Sequence, residues 1–337
     1  TTQYPLAIPT PSQENVFKAA PGSAKNRLGI VAWFSYTDPC FSAGGNGTHH
    51  QRQFLPPVFQ GAAPGALCRS GMTITITILG CGSSGGVPRV GNDWGQCDPA
   101  TPRNRRRRCS ALLTKSGPAG ETRVLIDTSP DMRDQLLDAG VGVLDAVVYT
   151  HSHADHVHGI DDLRQIVFNL HRRLPVWADG PTQEALMARF GYAFVQPEGS
   201  PYPPILDLNA IEGDVHIAGE GGTLTFTPFT ANHGSMDALG FRVGPLAYLP
   251  DAVAIPEESW PHLENLDCWV VDALRRKPHP THAHLALTLD WIARANPARA
   301  VITNMHHDLD FAELTEELPP HIRPAFDGMV ITYDNIG

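Results

Sequence analysis

The stretch Thr150-His151-Ser152-His153-Ala154-Asp155-His156 sets three imidazoles and a carboxylate within six residues. It follows directly on an apolar run, Ala146-Val147-Val148-Tyr149, whose composition is that of a strand. This constrains the fold more than any other feature. A strand must end where these side chains begin, and further groups must arrive from elsewhere to complete a site. Neutral imidazole and carboxylate are the ligands that suit Zn, Mn or Fe. A polar loop with chance histidines would explain one or two of them. It does not explain His-x-His-x-Asp-His at a strand end when other strand ends downstream carry the same residue types.

Three later runs end in this way. Leu224 to Thr230 leads to Ala231-Asn232-His233, Leu246 to Leu249 leads to Pro250-Asp251, and Val301-Ile302-Thr303 leads to Asn304-Met305-His306-His307. One site of His151, His153 and His233 and another of Asp155, His156 and His306, bridged by Asp251, would hold two divalent metal ions, Zn or Mn, with Fe also compatible. Two such cations can polarise a phosphoryl oxygen, generate hydroxide from bound water near neutral pH and stabilise an in-line displacement. Taken alone, His233 and Asp251 read equally well as turn residues. His158, His171, His216, His262 and His321 lack this placement and are read as surface or structural.

Composition limits the alternatives. The 337 residues allow one large domain or two small ones, and a 42% apolar fraction supports a real core. A net charge of −10 disfavours a nucleic-acid partner. The six cysteines show no Cys-x-x-Cys pair and do not form a disulfide framework in a chain of this length, so a reducing cytoplasm is expected. No apolar run reaches the length of a membrane span, and Leu28-Gly29-Ile30-Val31-Ala32-Trp33-Phe34 is a poor signal peptide.

Residues 1–71 are punctuated by proline, glycine and serine with no sustained period, the signature of a disordered extension. Thr73-Ile74-Thr75-Ile76-Thr77-Ile78 then alternates as a half-buried strand does, which marks Met72 as the start of the folded domain, residues 72–337. The turn Gly80-Cys81-Gly82-Ser83-Ser84-Gly85-Gly86 reads either as a tight connection or as an anion nest in which Ser83 and Ser84 touch substrate. Arg103 and Arg105-Arg106-Arg107-Arg108 read first as a solvated loop, and alternatively as a phosphate-facing patch. Asp127, at a strand end, either orients a ligand histidine or caps the helix expected over residues 131–139.

Further strands are expected at 111–115, 123–127, 175–177, 214–218, 224–230, 239–243, 246–249, 268–271 and 300–303. Helices are expected at 159–173, 181–190, around Leu285, Leu289 and Ile292, and at 311–318. A run of strands in each half with helices interspersed suits two sheets packed face to face with helices outside. In Pro278-His279-Pro280-Thr281-His282-Ala283-His284, one histidine can serve as general acid toward a leaving oxygen. His282 is preferred, although spacing does not separate it from His279 or His284.

The His-x-His-x-Asp-His loop with its later His, Asp and His resembles the metallo-β-lactamase superfamily. Gly80 to Pro88, Asp127, His158-Gly159-Ile160-Asp161-Asp162-Leu163-Arg164 and Phe326-Asp327-Gly328-Met329 resemble its branch of phosphodiesterases that includes phosphoribosyl cyclic phosphate phosphodiesterase. The resemblance covers about residues 72–337. It implies an α/β fold, an αββα sandwich of two mixed sheets, a dinuclear site, and hydrolysis of a phosphodiester or cyclic phosphate. It implies metal ligation by His151, His153, Asp155, His156, His233 and Asp251, with Asp155 also counted as catalytic, and leaving-group assistance by His282. The branch often has Thr-His where this chain has Thr303-Asn304, so the last ligand is expected from Asn304 or, preferentially, His306. His307 stands where some members use a structural zinc, but their three clustered cysteines are here reduced to Cys97.

The activity expected is cleavage of a small cyclic phosphate or nucleotide-like phosphodiester. The alternatives are hydrolysis of a lactone, thioester or β-lactam, a nuclease, or a metal-binding sensor or carrier without turnover. The partner expected is a small phosphate-containing substrate, without membrane; a homodimer is compatible.

Overall fold

A computed structural model of the protein describes residues 73–334. The expectations for residues 1–71, for Met72 and for Cys40 and Cys68 lie outside the described residues. The chain opens with β1 (Thr73–Gly80) and a hairpin of β2 (Ser110–Gly117) and β3 (Gly120–Ile126). Next come α1 (Met132–Asp138), β4 (Ala146–Val148), α2 (Ala154–Val157), α3 (Leu163–Leu170), β5 (Leu174–Ala178), α4 (Gly180–Phe194) and β6 (Leu206–Ala210). The second half contains β7 (Val215–Ile217), β8 (Leu224–Asn232), β9 (Asp237–Val243), β10 (Leu246–Leu249) and β11 (Cys268–Asp272). It ends with α5 (Leu285–Ala295), β12 (Arg299–Thr303), α6 (Phe311–Glu317), β13 (Ile322–Pro324) and β14 (Met329–Asp334).

The strands form two sheets of seven, ordered β14-β1-β2-β3-β4-β5-β6 and β13-β12-β11-β10-β9-β8-β7. Each sheet is antiparallel on one side and parallel on the other. Parallel neighbours need a crossover, and here helices supply most of them. This is the expected αββα sandwich of two mixed sheets. The alternation in β1 does what its period predicts: Ile74, Ile76 and Ile78 are buried in the core shared with the second sheet, while Thr73, Thr75 and Thr77 are half-buried on the opposite face. Each such isoleucine contributes about 1.5–3 kcal/mol of burial. A second apolar cluster joins the first sheet to Met132 and Leu136 of α1, Leu163 and Ile166 of α3, and Leu186 and Phe194 of α4. Trp291 and Ile292 of α5 and Leu314 of α6 are part of the core that includes the second sheet.

Two helices and three strands depart from the sequence reading. The expected helix over 159–173 is a 3-10 turn, Ile160–Asp162, leading into the shorter α3, which closes on the left-handed His171. The helix expected over 181–190 runs on to Phe194 across a kink at Phe190. Strands β6, β13 and β14 had no counterpart among the expected strands. β14 pairs antiparallel with β1, so the C-terminal described segment completes one edge of the first sheet.

The sheets bring their strand ends together. The Leu239 N–H of β9 donates to the Thr150 carbonyl, tying the loop after β4 to the second sheet. Met305, just past β12, donates to the Cys81 carbonyl just past β1. The carboxyl ends of β4, β8, β10, β11 and β12 therefore carry the polar residues that follow, the usual place for a site in sheets with parallel strands. Among the described residues no helix is long and apolar enough to cross a membrane.

Candidate metal centre

After β4 the chain runs extended through His153 and then turns into the single turn of α2, where the His156 N–H donates to the His153 carbonyl. Asp155 and His156 thus sit on that turn, one step past His151 and His153. The turn packs tightly on the loop after β3. A Cβ added at Gly159 would lie 2.0 Å from the Ser129 carbonyl oxygen, so only glycine fits there. His233 lies in the turn between β8 and β9, its N–H donating to Met236.

Three imidazoles meet here. Nδ1 of His153 lies 3.0 Å from Nε2 of His151 and 3.0 Å from Nε2 of His233. The Asp251 Oδ2 oxygen, just past β10, lies 3.7 Å from the former Nε2 and 3.6 Å from the latter. All four donor atoms fall within 4.8 Å of one another, and they form the only such group of metal-ligand side chains among the described residues. Tetrahedral coordination at ~2.1 Å per nitrogen puts ligand nitrogens about 3.4 Å apart, so the spacing fits a cation.

Outer hydrogen bonds select the tautomers. Thr150 donates through its N–H and hydroxyl to Asp127, at 2.8 and 2.7 Å, and its hydroxyl lies 3.0 Å from His151 Nδ1. The His233 Nδ1–H donates to the Thr281 carbonyl at 2.6 Å. In both rings the proton is held on Nδ1 and the Nε2 lone pair faces inward. Burial pushes the His151, His153 and His233 pKa values below the ordinary range, favouring the neutral rings that metal binding requires.

His156 stands on the other side of Asp251. Its Nδ1 is 2.7 Å from Asp127 Oδ2, while its buried Nε2 makes no hydrogen bond. That nitrogen lies 3.3 Å from Asp251 Oδ1 and 3.6 Å from Asp155 Oδ2. Burial opposes charge on this ring, yet Asp251, Asp155 and Asp127 together raise its pKa well above the usual value. These carboxylates demand positive charge, which a divalent cation would supply in place of the proton. Asp251 presents one oxygen to each group, as a bridging carboxylate does. Of the two readings of Asp127, orienting histidines agrees with these bonds; the residue preceding α1 is Asp131.

His282 lies beside the group, its ring 4.5 Å from that of His233. Nδ1 is 3.0 Å from Asp272 Oδ2, at the end of β11, and 3.8 Å from Asp251. Burial disfavours the imidazolium, but Asp272 and Asp251 raise its pKa to about 9. His279 sits 5.2 Å from His282, and His284 precedes α5 without a side-chain cap bond. Asp272 was missed in the sequence, although it ends a strand as Asp251 nearly does; that rule, applied once more, would have found it.

His306 is not brought to the group. Its ring is bonded to the Arg89 guanidinium and lies 3.3 Å from Asp308. The reason is local: Asn304 takes a left-handed turn at φ 60°, and Met305 N–H ties to Cys81, which carries the next residue away. Asn304 occupies the expected place instead, with Nδ2 3.2 Å from Asp251 Oδ1 and 3.3 Å from Asp272 Oδ1. His307 pairs with Asp93 at 3.3 Å, and Cys97 is buried against the Leu309 carbonyl. Ser83 is buried, its hydroxyl unpartnered and its N–H donating to Met305 at 3.3 Å; Ser84 is exposed.

The arginine run is structural. Buried Arg106 donates to the carbonyls of His306 and Leu309 at 3.1 and 2.5 Å. Arg107 pairs with Asp138 and Asp327, and Arg108 with Asp131. Arg103 and Arg105 lie over the rings of Phe326 and Trp94. A cleft of 680 Å³ beside them is lined by acidic residues as well, and contains none of the donor residues.

A family model described as the beta-lactamase superfamily domain matches residues 122–306. The same fold holds zinc in PqqB from Methylobacterium extorquens, 17% identical, with a TM-score of 0.61 over 76% of this chain and 99% of that one. The chain belongs to the metallo-β-lactamase superfamily. Within the superfamily it is a member of the PhnP family: it is 34% identical to a diphosphatase of that family, at a TM-score of 0.71 over 79% of this chain and 99% of that one. It is also 37% identical over 264 residues to an octanoyltransferase of Porphyromonas gingivalis. That match takes 77% of this chain but only 52% of the relative, so the chain spans about half its length. On this fold the His and Asp cluster is a candidate site for a divalent metal ion.

Proposed function

We propose that this superfamily member is a metal-dependent phosphodiesterase that hydrolyses a small cyclic phosphate or a nucleotide-like phosphodiester. The observation that carries the reading is the convergence of His151, His153, His233 and Asp251 beside the paired His282 and Asp272. The likeness to a PhnP-family diphosphatase favours phosphoryl over acyl chemistry. The octanoyltransferase likeness covers about half of that protein and does not outweigh it.

In this reading His151, His153, His233 and Asp251 hold one cation, and Asp155, His156 and Asp251 face a second. Divalent cations held there supply Lewis acidity toward a phosphoryl oxygen and water activated near neutral pH. Asp127 and Thr150 keep two of the rings oriented. His282 keeps its Nδ1 proton on Asp272 and donates the Nε2 proton to the leaving oxygen. The Ser83 hydroxyl, buried without a partner, is available to a substrate oxygen. The partner is a small phosphate-bearing substrate and the compartment the cytoplasm.

The test is purified protein with Mn or Zn against bis-p-nitrophenyl phosphate, a cyclic nucleotide, a lactone and nitrocefin. Cleavage of a phosphodiester is expected. Turnover of only the lactone or nitrocefin would replace this reading with acyl hydrolysis, and no turnover of any substrate would leave a sensor or carrier.

A further inference from the structure

We infer that the two cation positions are unequal: the three-histidine group retains its ion, while the position at Asp155 and His156 takes an exchangeable, oxygen-preferring cation such as Mn or Mg. This rests on the metal reading given above. The first position offers three imidazole nitrogens and one carboxylate oxygen, a complete tetrahedral set of the kind zinc prefers. The second offers one imidazole nitrogen, His156 Nε2, and the carboxylates of Asp155 and Asp251. A set rich in oxygen and poor in imidazole suits Mg or Mn and loses affinity for Zn.

Asn304 makes the difference. Its side chain presents Nδ2 to Asp251 Oδ1 and to Asp272 Oδ1, and the same atom lies 3.1 Å from His282 Nδ1. An amide N–H group is a donor, so it is no ligand for a cation. It engages the Asp251 oxygen that faces His156, and so competes with the second cation for that oxygen. Turning the amide to offer its oxygen would break both bonds and set that oxygen against two carboxylates. The buried, unpartnered His156 Nε2 remains aimed at the position, so the position persists but is weakly held. The left-handed backbone at φ 60° favours asparagine, and histidine is also among the residues found there.

The experiment counts metal without substrate. Protein loaded with Zn and Mn is dialysed against metal-free buffer containing a weak chelator and analysed by plasma mass spectrometry. Mn binding is then titrated by electron paramagnetic resonance. Wild type is expected to retain about one Zn per chain, to lose its Mn on dialysis and to rebind it on titration. Asn304→His is expected to tighten Mn at least ~10-fold and to retain a second ion. If that variant misfolds by circular dichroism, Asp155→Asn serves instead: it should weaken Mn rebinding and keep the Zn. Retention of two ions by wild type, retention of none, or Mn affinity unmoved by the substitution would overturn the inference. Correct counts with an inert phosphodiester panel would overturn the proposed function alone.

Discussion

Two stretches of this chain each carry four ionisable side chains within six residues or fewer, and they fold to opposite outcomes. Arg105-Arg106-Arg107-Arg108 is spread over carbonyls, carboxylates and an aromatic ring, each guanidinium against its own partner. His151-Ser152-His153-Ala154-Asp155-His156 is gathered, with His153 Nδ1 3.0 Å from the Nε2 atoms of both His151 and His233. Charge density is therefore no guide to a site. What distinguishes the two is whether the polar atoms are satisfied by the protein or left facing one another. The guanidinium forks each point to a different wall, while outer hydrogen bonds turn the histidine lone pairs inward.

The comparison breaks most sharply if His151 is dispensable. His151→Ala should lower phosphodiester turnover roughly 10³-fold or more and reduce retained metal, because it removes one of three imidazoles from the retaining group. Turnover and mass-spectrometric metal content measure both effects. His282→Ala should lower turnover about 10²–10⁴-fold with metal content unchanged, since its Nδ1 is bonded to Asp272. A fall in metal content would make His282 a ligand.

On the other side, Arg106→Ala should cost about 3 kcal/mol of stability, read from the urea midpoint, and leave the metal count intact. The cost is that of stranding the buried carbonyls of His306 and Leu309. Lost metal with unchanged stability would erase the contrast between the two clusters. The smallest effect is expected for His306→Ala: stability within about 0.5 kcal/mol and no change in metal content, because its ring turns toward Arg89 and Asp308.

Much of this was legible in the sequence, for identifiable reasons. The period-two run of β1, the strand before His151, and the strand ends carrying His233 and Asp251 are local signals that packing did not overrule. Asp272 ends β11 and lay within reach of the same strand-end rule, but its partner did not, because that depends on strand order. Asp272 pairs with Thr303 across parallel β11 and β12, and only that register sets Asp272 and Asn304 side by side. The expectation for His306 failed over two residues, since counting along a chain cannot foresee the left-handed turn at Asn304. The arginine run was undecidable from composition, since its partners Asp131, Asp138 and Asp327 lie up to 220 positions away.

The measurement closest to the central claim is anomalous diffraction from crystals grown with zinc. The account predicts a strong peak enclosed by His151 Nε2, His153 Nδ1, His233 Nε2 and Asp251 Oδ2. A fully occupied protein with no peak there, or with its strongest peak at His306 and His307, would contradict it.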